Sequence, residues 1–299
     1  MKLFLRKSSK LFIIKIVHFF DKFGILIFRP FFLKNKIIVT CGNGVYVIDE
    51  RSYKTTQVTY CKSYGIFNLN NQLYFFAHKH GNDIGYVYKI FSIFDLVILS
   101  IKTNIRLSNG CHQITTHNNK FYIADTYNNR VLIYDHKFNF IQLIYCLKKI
   151  NSRKDIYYSH INSIYVDNDN IYMLFHNETL KTGKKSQLCK YNKKNKKIKI
   201  INTSFGCAHN ILKYKNKFLI CDSLNSKIYH GNRIFLNTYG FTRGLLIHNK
   251  KLFIGDSLKK HISNNLIKST LLVYDLKNMK NLKKISFNTQ IYEIFKYKK

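Results

Sequence analysis

The stretch NGCHQITTHNNKFYIADTYNNRVLIYD, residues 109–135, most constrains what this chain can fold into. HQITTH and KFYIAD are short runs joined by the pair Asn118-Asn119, and a turn over Thr126 to Asn129 leads into RVLIYD. After His136 to Asn139 comes a fourth run, FIQLIYCL. Asn pairs tolerate the left-handed backbone of a tight hairpin, and β-branched and aromatic residues favour strands. The stretch therefore reads as a four-stranded up-and-down meander, with Asp125 expected to bond turn amides.

The same register recurs, as a repeat architecture requires. His112 stands ten residues before Tyr122, and the step of ten returns at Tyr64/Tyr74, Asn162/Tyr172, His209/Leu219 and Arg243/Phe253. Each segment has a polar or aromatic anchor, a small or polar residue, an apolar run, an Asn/Lys turn and a second apolar strand. Asp125, Asp222 and Asp256 fall at one equivalent place, before tight turns, where a structural role is expected. QIYEIFKY (Gln290 to Tyr297) is a first strand with no second, and KIIVTCGNGVYVIDE (Lys36 to Glu50) is a second and third strand with no first. The two halves complete each other and leave no open sheet edge between the first and last units. The fold expected is all-β: a six-bladed β-propeller over residues 36–299, closed by pairing the C-terminal strand with the N-terminal blade. The shorter step of 34 residues between His209 and Arg243 marks a trimmed fifth blade.

A ring of this kind accommodates 299 residues as one domain. The formal charge is +35, from 50 basic and 15 acidic residues. Such a field attracts polyanions. The basic residues are nevertheless dispersed over turns and strand faces, and no helix-turn-helix, zinc-finger or single-stranded-RNA signature occurs, which argues against specific nucleic-acid recognition. Abundant Asn, Lys, Ile and Tyr look like the product of an AT-rich genome and account for part of the charge. The lysine-dense segment Lys181 to Lys199 reads as an outer-edge hairpin guarded by its charges. Seven cysteines with no C-x-x-C pair argue against a disulfide framework or a Cys-type zinc site, so the cysteines are expected buried in a reducing, cytoplasmic setting.

Residues 1–35 do not follow the repeat. LFIIKIVHFF and GILIFRPFFL are apolar but interrupted by charge, too short to span a membrane as helices. The segment is expected to be helical or loose: a leader, a helix packed on the ring, or an amphipathic helix on an anionic membrane through residues 1–34 that would make the protein peripheral to it. HKHGNDIGY (His78 to Tyr86) reads as a solvated turn, and His261 to Lys268 as a loop interrupting the sixth blade.

Equivalent anchors form a ring where the innermost strands begin: Tyr64, His112, Asn162, His209, Arg243 and Tyr292, with His160 two residues before Asn162 on the same side of the strand. No anchor is a carboxylate, and Glu293 is expected to point away. This set suits a small anionic or sugar-like ligand. Neutral imidazoles at His112, His160 and His209 could alternatively hold a divalent metal such as zinc, with Arg243 stabilising an oxyanion in a lyase or hydrolase reaction. Without metal, a histidine such as His112 or His209 could act as general base. A third reading is a scaffold for a protein or membrane partner.

FYIADTYNNRVLIYD resembles an NHL-type propeller repeat, with its Asp-Thr turn and Asn-x-Arg step, and CDSLNSK is similar. The wider set CHQI, SHINSI, CAHNI, FTRGL with IGDS, and QIYEI resembles an uncharacterised bacterial family of six-bladed propellers from Lys36 onward. NHL-type propellers include binding modules and the peptidyl-hydroxyglycine amidating lyases. The latter resemblance implies zinc on His112, His160 and His209, although the disulfides of those secreted enzymes are not evident. Gluconolactonase-like propellers use carboxylate and amide metal ligands, and this ring has no carboxylate among its anchors.

Overall fold

The computed structural model describes residues 24–78, 83–150, 152–258 and 268–297. Alternating apolar runs broken by Asn/Lys turns give six antiparallel sheets. Their innermost strands are Ile291–Lys296, Lys62–Leu69, Cys111–His117, Ile161–Val166, Ala208–Tyr214 and Phe241–His248. Each inner strand packs on the next, and Ile291–Lys296 lies between Phe241–His248 and Lys62–Leu69, so the ring is closed. This is the expected β-propeller. Blade 1 joins the two ends of the chain: Ile291–Lys296 pairs with Lys36–Cys41, followed by Gly44–Asp49 and Thr55–Thr59. Blade 5 is the trimmed one, its outer strands being only Lys227–His230 and Arg233–Asn237.

The hairpin turns carry the backbone their sequences demand. Asn70-Asn71, Asn118-Asn119, Lys215-Asn216 and Asn249-Lys250 all have positive φ, as the mirror-image turns of right-twisted hairpins require. Apolar side chains fill the wedges between blades. One such cluster joins Val47 of blade 1 to Phe75 and Tyr88 of blade 2. Burying one such side chain contributes about 1.5–3 kcal/mol.

The N-terminal segment departs from the helical or loose expectation. Residues 1–23 lie outside the described residues. Ile25–Phe32 is a strand, added as a fifth and outermost strand to blade 2 by pairing with Leu96–Ser108. Leu26, Phe28, Phe31 and Leu33 are buried, a period of two that a bulge between Ile27 and Phe31 interrupts. Pro30 sits in that irregularity, where a missing N–H is tolerated, rather than ending a helix. Residues 79–82, within the expected turn His78 to Tyr86, and residues 259–267, which include most of the expected loop His261 to Lys268, also lie outside the described residues. Lys181 to Lys199 does form an outer hairpin, with strands Ser186–Asn192 and Ile198–Phe205 at the rim of blade 4.

Candidate functional site

Every inner strand is irregular at its anchor. The pairing skips Tyr292 in blade 1, Tyr64 and Gly65 in blade 2, His112 in blade 3 and Asn162 in blade 4. In blades 5 and 6 it skips the residue after the anchor, Asn210 and Gly244. Bulges re-aim side chains, and these six turn one set of residues toward the axis. Hydroxyls register the blades on one another at the same level. Thr40 donates to the Tyr64 carbonyl at 2.6 Å, Thr126 to that of Ile161 at 2.6 Å and Ser223 to that of Thr242 at 2.6 Å.

The anchors meet edge to edge and make a closed collar. Tyr292 stacks on Tyr64 with ring centroids 4.4 Å apart, and Tyr64 lies 5.2 Å from His112. His112 is 5.1 Å from His160, His160 4.7 Å from His176, and His176 4.9 Å from His209. Arg243 closes the circuit: Nη2 is 2.5 Å from His209 Nε2, and the guanidinium lies 5.4 Å from the Tyr292 ring and 5.6 Å from that of Phe241. Asn162 is present through its amide, which donates to His112 Nδ1 at 3.3 Å. All seven residues anticipated from the sequence are thus brought together. His160 arrives by a different route: it precedes the strand, in a left-handed conformation with φ 50°.

His176, Phe241, Tyr158 and Glu178 belong to the same assembly and were not anticipated. His176 had a signal. It follows Tyr172 by four residues, the register that Thr126, Ser223 and Ser257 occupy in blades 3, 5 and 6. His78 holds that register in blade 2 and stacks on Tyr64 at 5.9 Å. Glu178 comes from the connection after the second strand of blade 4, and its Oε1 lies 3.3 Å from His160 Nδ1.

The hydrogen bonds fix the protons. Arg243 donates to His209 Nε2, so His209 Nδ1 carries the hydrogen and donates to Ser223 Oγ at 2.8 Å. The Glu178 amide donates to His176 Nδ1 at 3.0 Å. Burial, reinforced by Arg243 and by neighbouring imidazoles, holds His112, His176 and His209 well below the usual histidine range, so they are neutral. Burial also lowers His160, against the Glu178 carboxylate that opposes it. The His160 contact in turn pulls the Glu178 carboxyl down to about 2. Burial pushes the Tyr292 and Tyr158 phenols up. Arg243 is the cation within the collar, and the Lys62 ammonium lies 5.2 Å from the Tyr64 ring. Among the described residues Arg243 makes no ion pair, and its Nε has no hydrogen-bond partner.

Zinc, which the lyase resemblance implies, is not matched by this donor set. Both nitrogens of His209 are engaged, one by a guanidinium, and Nδ1 of His112 and of His160 are taken as well. No cluster of three or more His, Cys, Asp or Glu among the described residues is placed to hold a metal ion. A cation 2.5 Å from a would-be ligand nitrogen opposes a second cation there. All seven cysteines are free thiols, six of them buried.

Below the collar the inner strands line an open cavity of about 450 Å³, walled by residues such as Ile66, Gln113, Asn210 and Glu293. Glu293 does turn off the collar, but into this channel. It accepts the Ile66 N–H at 3.0 Å and the Gln113 amide at 3.3 Å. What surface it keeps lines this cavity, and burial raises its carboxyl from 4.5 to about 8. Asp125, Asp222 and Asp256 are structural. Asp125 accepts from Asn128, Arg130 and Ser108, Asp222 from the Gly206 N–H and Asn225, and Asp256 from the Tyr239 and Gly240 N–H groups.

No family model and no curated protein matches this sequence. Solved structures do match its fold. A chain from the crystal structure of a nidogen/laminin complex superimposes with a TM-score of 0.62 at 10% identity, over 87% of this chain and 97% of that one. A protein of unknown function from Bacteroides caccae gives a TM-score of 0.59 at 10% identity over the same shares. A luciferin-regenerating enzyme gives 0.51 at 12% identity, over 77% of this chain and 78% of that one. At such identities the likeness is one of fold alone, and these propellers differ in what they do.

Proposed function

We propose that the collar binds a small anionic ligand bearing hydroxyl groups, such as a sugar acid or sugar phosphate. The observation that carries this reading is Arg243: a desolvated guanidinium with an unpartnered Nε and no carboxylate beside it. A buried cation without a counter-charge is costly unless an anion joins it, and guanidinium matches carboxylate and phosphate oxygens in a fork. The neutral histidines and two tyrosines around it present donors and acceptors, which suits hydroxyls, while the Glu178 carboxylate of the assembly is engaged by His160 and Lys181. The NHL-like kinship is supported by the paired turns in which Asn128 bonds Asp125 and Asn225 bonds Asp222 at 2.9 Å.

Isothermal titration of the full chain with inorganic phosphate, citrate, gluconate and glucose 6-phosphate, beside neutral glucose, tests the reading. At least one anion is expected to bind, and Arg243→Met is expected to weaken it at least about tenfold, the loss of one charge-assisted contact. Equal binding by Arg243→Met, or binding of glucose alone, would overturn it.

A further inference from the structure

The third and fourth strands of blade 2 are unlike those of the other blades. Ile84–Ile93 and Leu96–Ser108 have 10 and 13 residues, whereas the corresponding strands elsewhere have between 4 and 8. The second strand of the blade pairs with this hairpin only from Gly85 to Lys89, so Phe91 onward runs past it. The turn at the overhanging end is apolar: Ile93 is 64% exposed and Phe94 95%. Phe32, 56% exposed, pairs with Leu96 beside the turn, and the Leu33 N–H donates to the Asp95 carbonyl at 2.9 Å. The acidic side chain of the turn, Asp95, is only half-buried. Three large apolar side chains therefore share one protruding tip.

Strand direction places that tip. The inner strands leave the collar at their first residues, so the turns after first and third strands lie on the opposite face of the ring. That face carries an exposed lysine from every blade: Lys54, Lys34, Lys137, Lys194, Lys215 and Lys277. In these turns Asp49, Asp135 and Asp275 accept turn amides, and the lysines beside them are exposed. A face of exposed lysines with one apolar projection complements an anionic bilayer surface, where lysines meet headgroups and the apolar tip enters the acyl boundary. A projection of three side chains offers far less area than a stable protein interface, roughly 800 Å² per partner, requires.

We propose that the face opposite the collar docks on an anionic lipid bilayer, with Phe32, Ile93 and Phe94 inserted and the lysine turns resting on the headgroups. This orientation leaves the collar facing away from the membrane, open to small solutes.

The chain contains no tryptophan, so Phe94→Trp introduces a single reporter. With vesicles of phosphatidylcholine containing about 30 mol% phosphatidylserine, its emission is expected to shift to the blue, with little change on phosphatidylcholine alone. In co-sedimentation of the full chain, Ile93→Ser/Phe94→Ser is expected to lower the bound fraction at least about fivefold, because each lost apolar contact weakens insertion. Its thermal midpoint should match the parent, since both side chains are exposed. An unshifted Trp spectrum on anionic vesicles would overturn the proposal. So would binding that the double variant leaves intact, which would mark lipid attraction as charge alone or as residing elsewhere in the chain.

Discussion

His112, His176 and His209 give the protein a pH dependence that can be signed residue by residue. Burial keeps their folded values below 6.5, so at acidic pH the unfolded chain takes up protons that the folded collar refuses. Their stability contribution is complete above 6.5 and is lost as pH falls below it. Glu293 acts in the opposite sense. Its folded value is raised from 4.5 to about 8, so the folded chain retains a proton that the unfolded chain has released. That contribution is complete below 4.5 and is lost as pH rises through about 8. The denaturation midpoint of the parent is expected to fall as pH rises from 6.5 to about 8, where the histidine contribution is already complete and that of Glu293 is still being lost. Glu293→Gln should remove roughly 2–4 kcal/mol of the loss between pH 5 and 8, checked by urea titrations at each pH. A parallel pH profile in the variant would show that Glu293 is ionised in the folded channel.

At the scale of the element, the hairpin turns and the bulges had opposite visibility in the sequence. The step of ten from His112 to Tyr122 was readable because strand alternation and Asn-turn chemistry are local properties. The strand Ile25–Phe32 was not, because its bulge breaks the alternation halfway and Pro30 falls in the break. The collar was legible as a list of anchors but not as contacts. The Arg243–His209 pair joins two blades, and His176 reaches the axis from the end of a second strand rather than from an anchor. Two of the turns between first and second strands place a lysine in the left-handed region, Lys215 in blade 5 and Lys250 in blade 6. Lys250 holds φ 57° in the turn of blade 6, where a side chain with Cβ is strained by about 1 kcal/mol. Lys250→Gly is expected to raise stability by about 0.5–1 kcal/mol in chemical denaturation. In contrast, Asp125→Ala removes the acceptor shared by Asn128 and Arg130 and should cost about 2 kcal/mol in the same measurement.

For the whole molecule, closure of the ring rests on Ile291–Lys296, which is at once the inner strand of blade 1 and the neighbour of blades 2 and 6. A chain ending at Phe287 is expected to lose the single cooperative unfolding transition, because Lys36–Cys41 is left with an open edge and the wedge between blades 1 and 6 is uncovered. Calorimetry would show one transition in the parent and a broadened or absent one in the truncated chain. The same strand delivers Tyr292, the residue on which both Tyr64 and Arg243 lie. During synthesis, five blades' worth of inner strands emerge from the ribosome before this one. The closed collar therefore comes into existence only once Ile291–Lys296 has been made and has paired with Lys36–Cys41. Any nascent chain released before that strand would lack the closed collar and would display the unpaired strand Lys36–Cys41 to the cell's quality control.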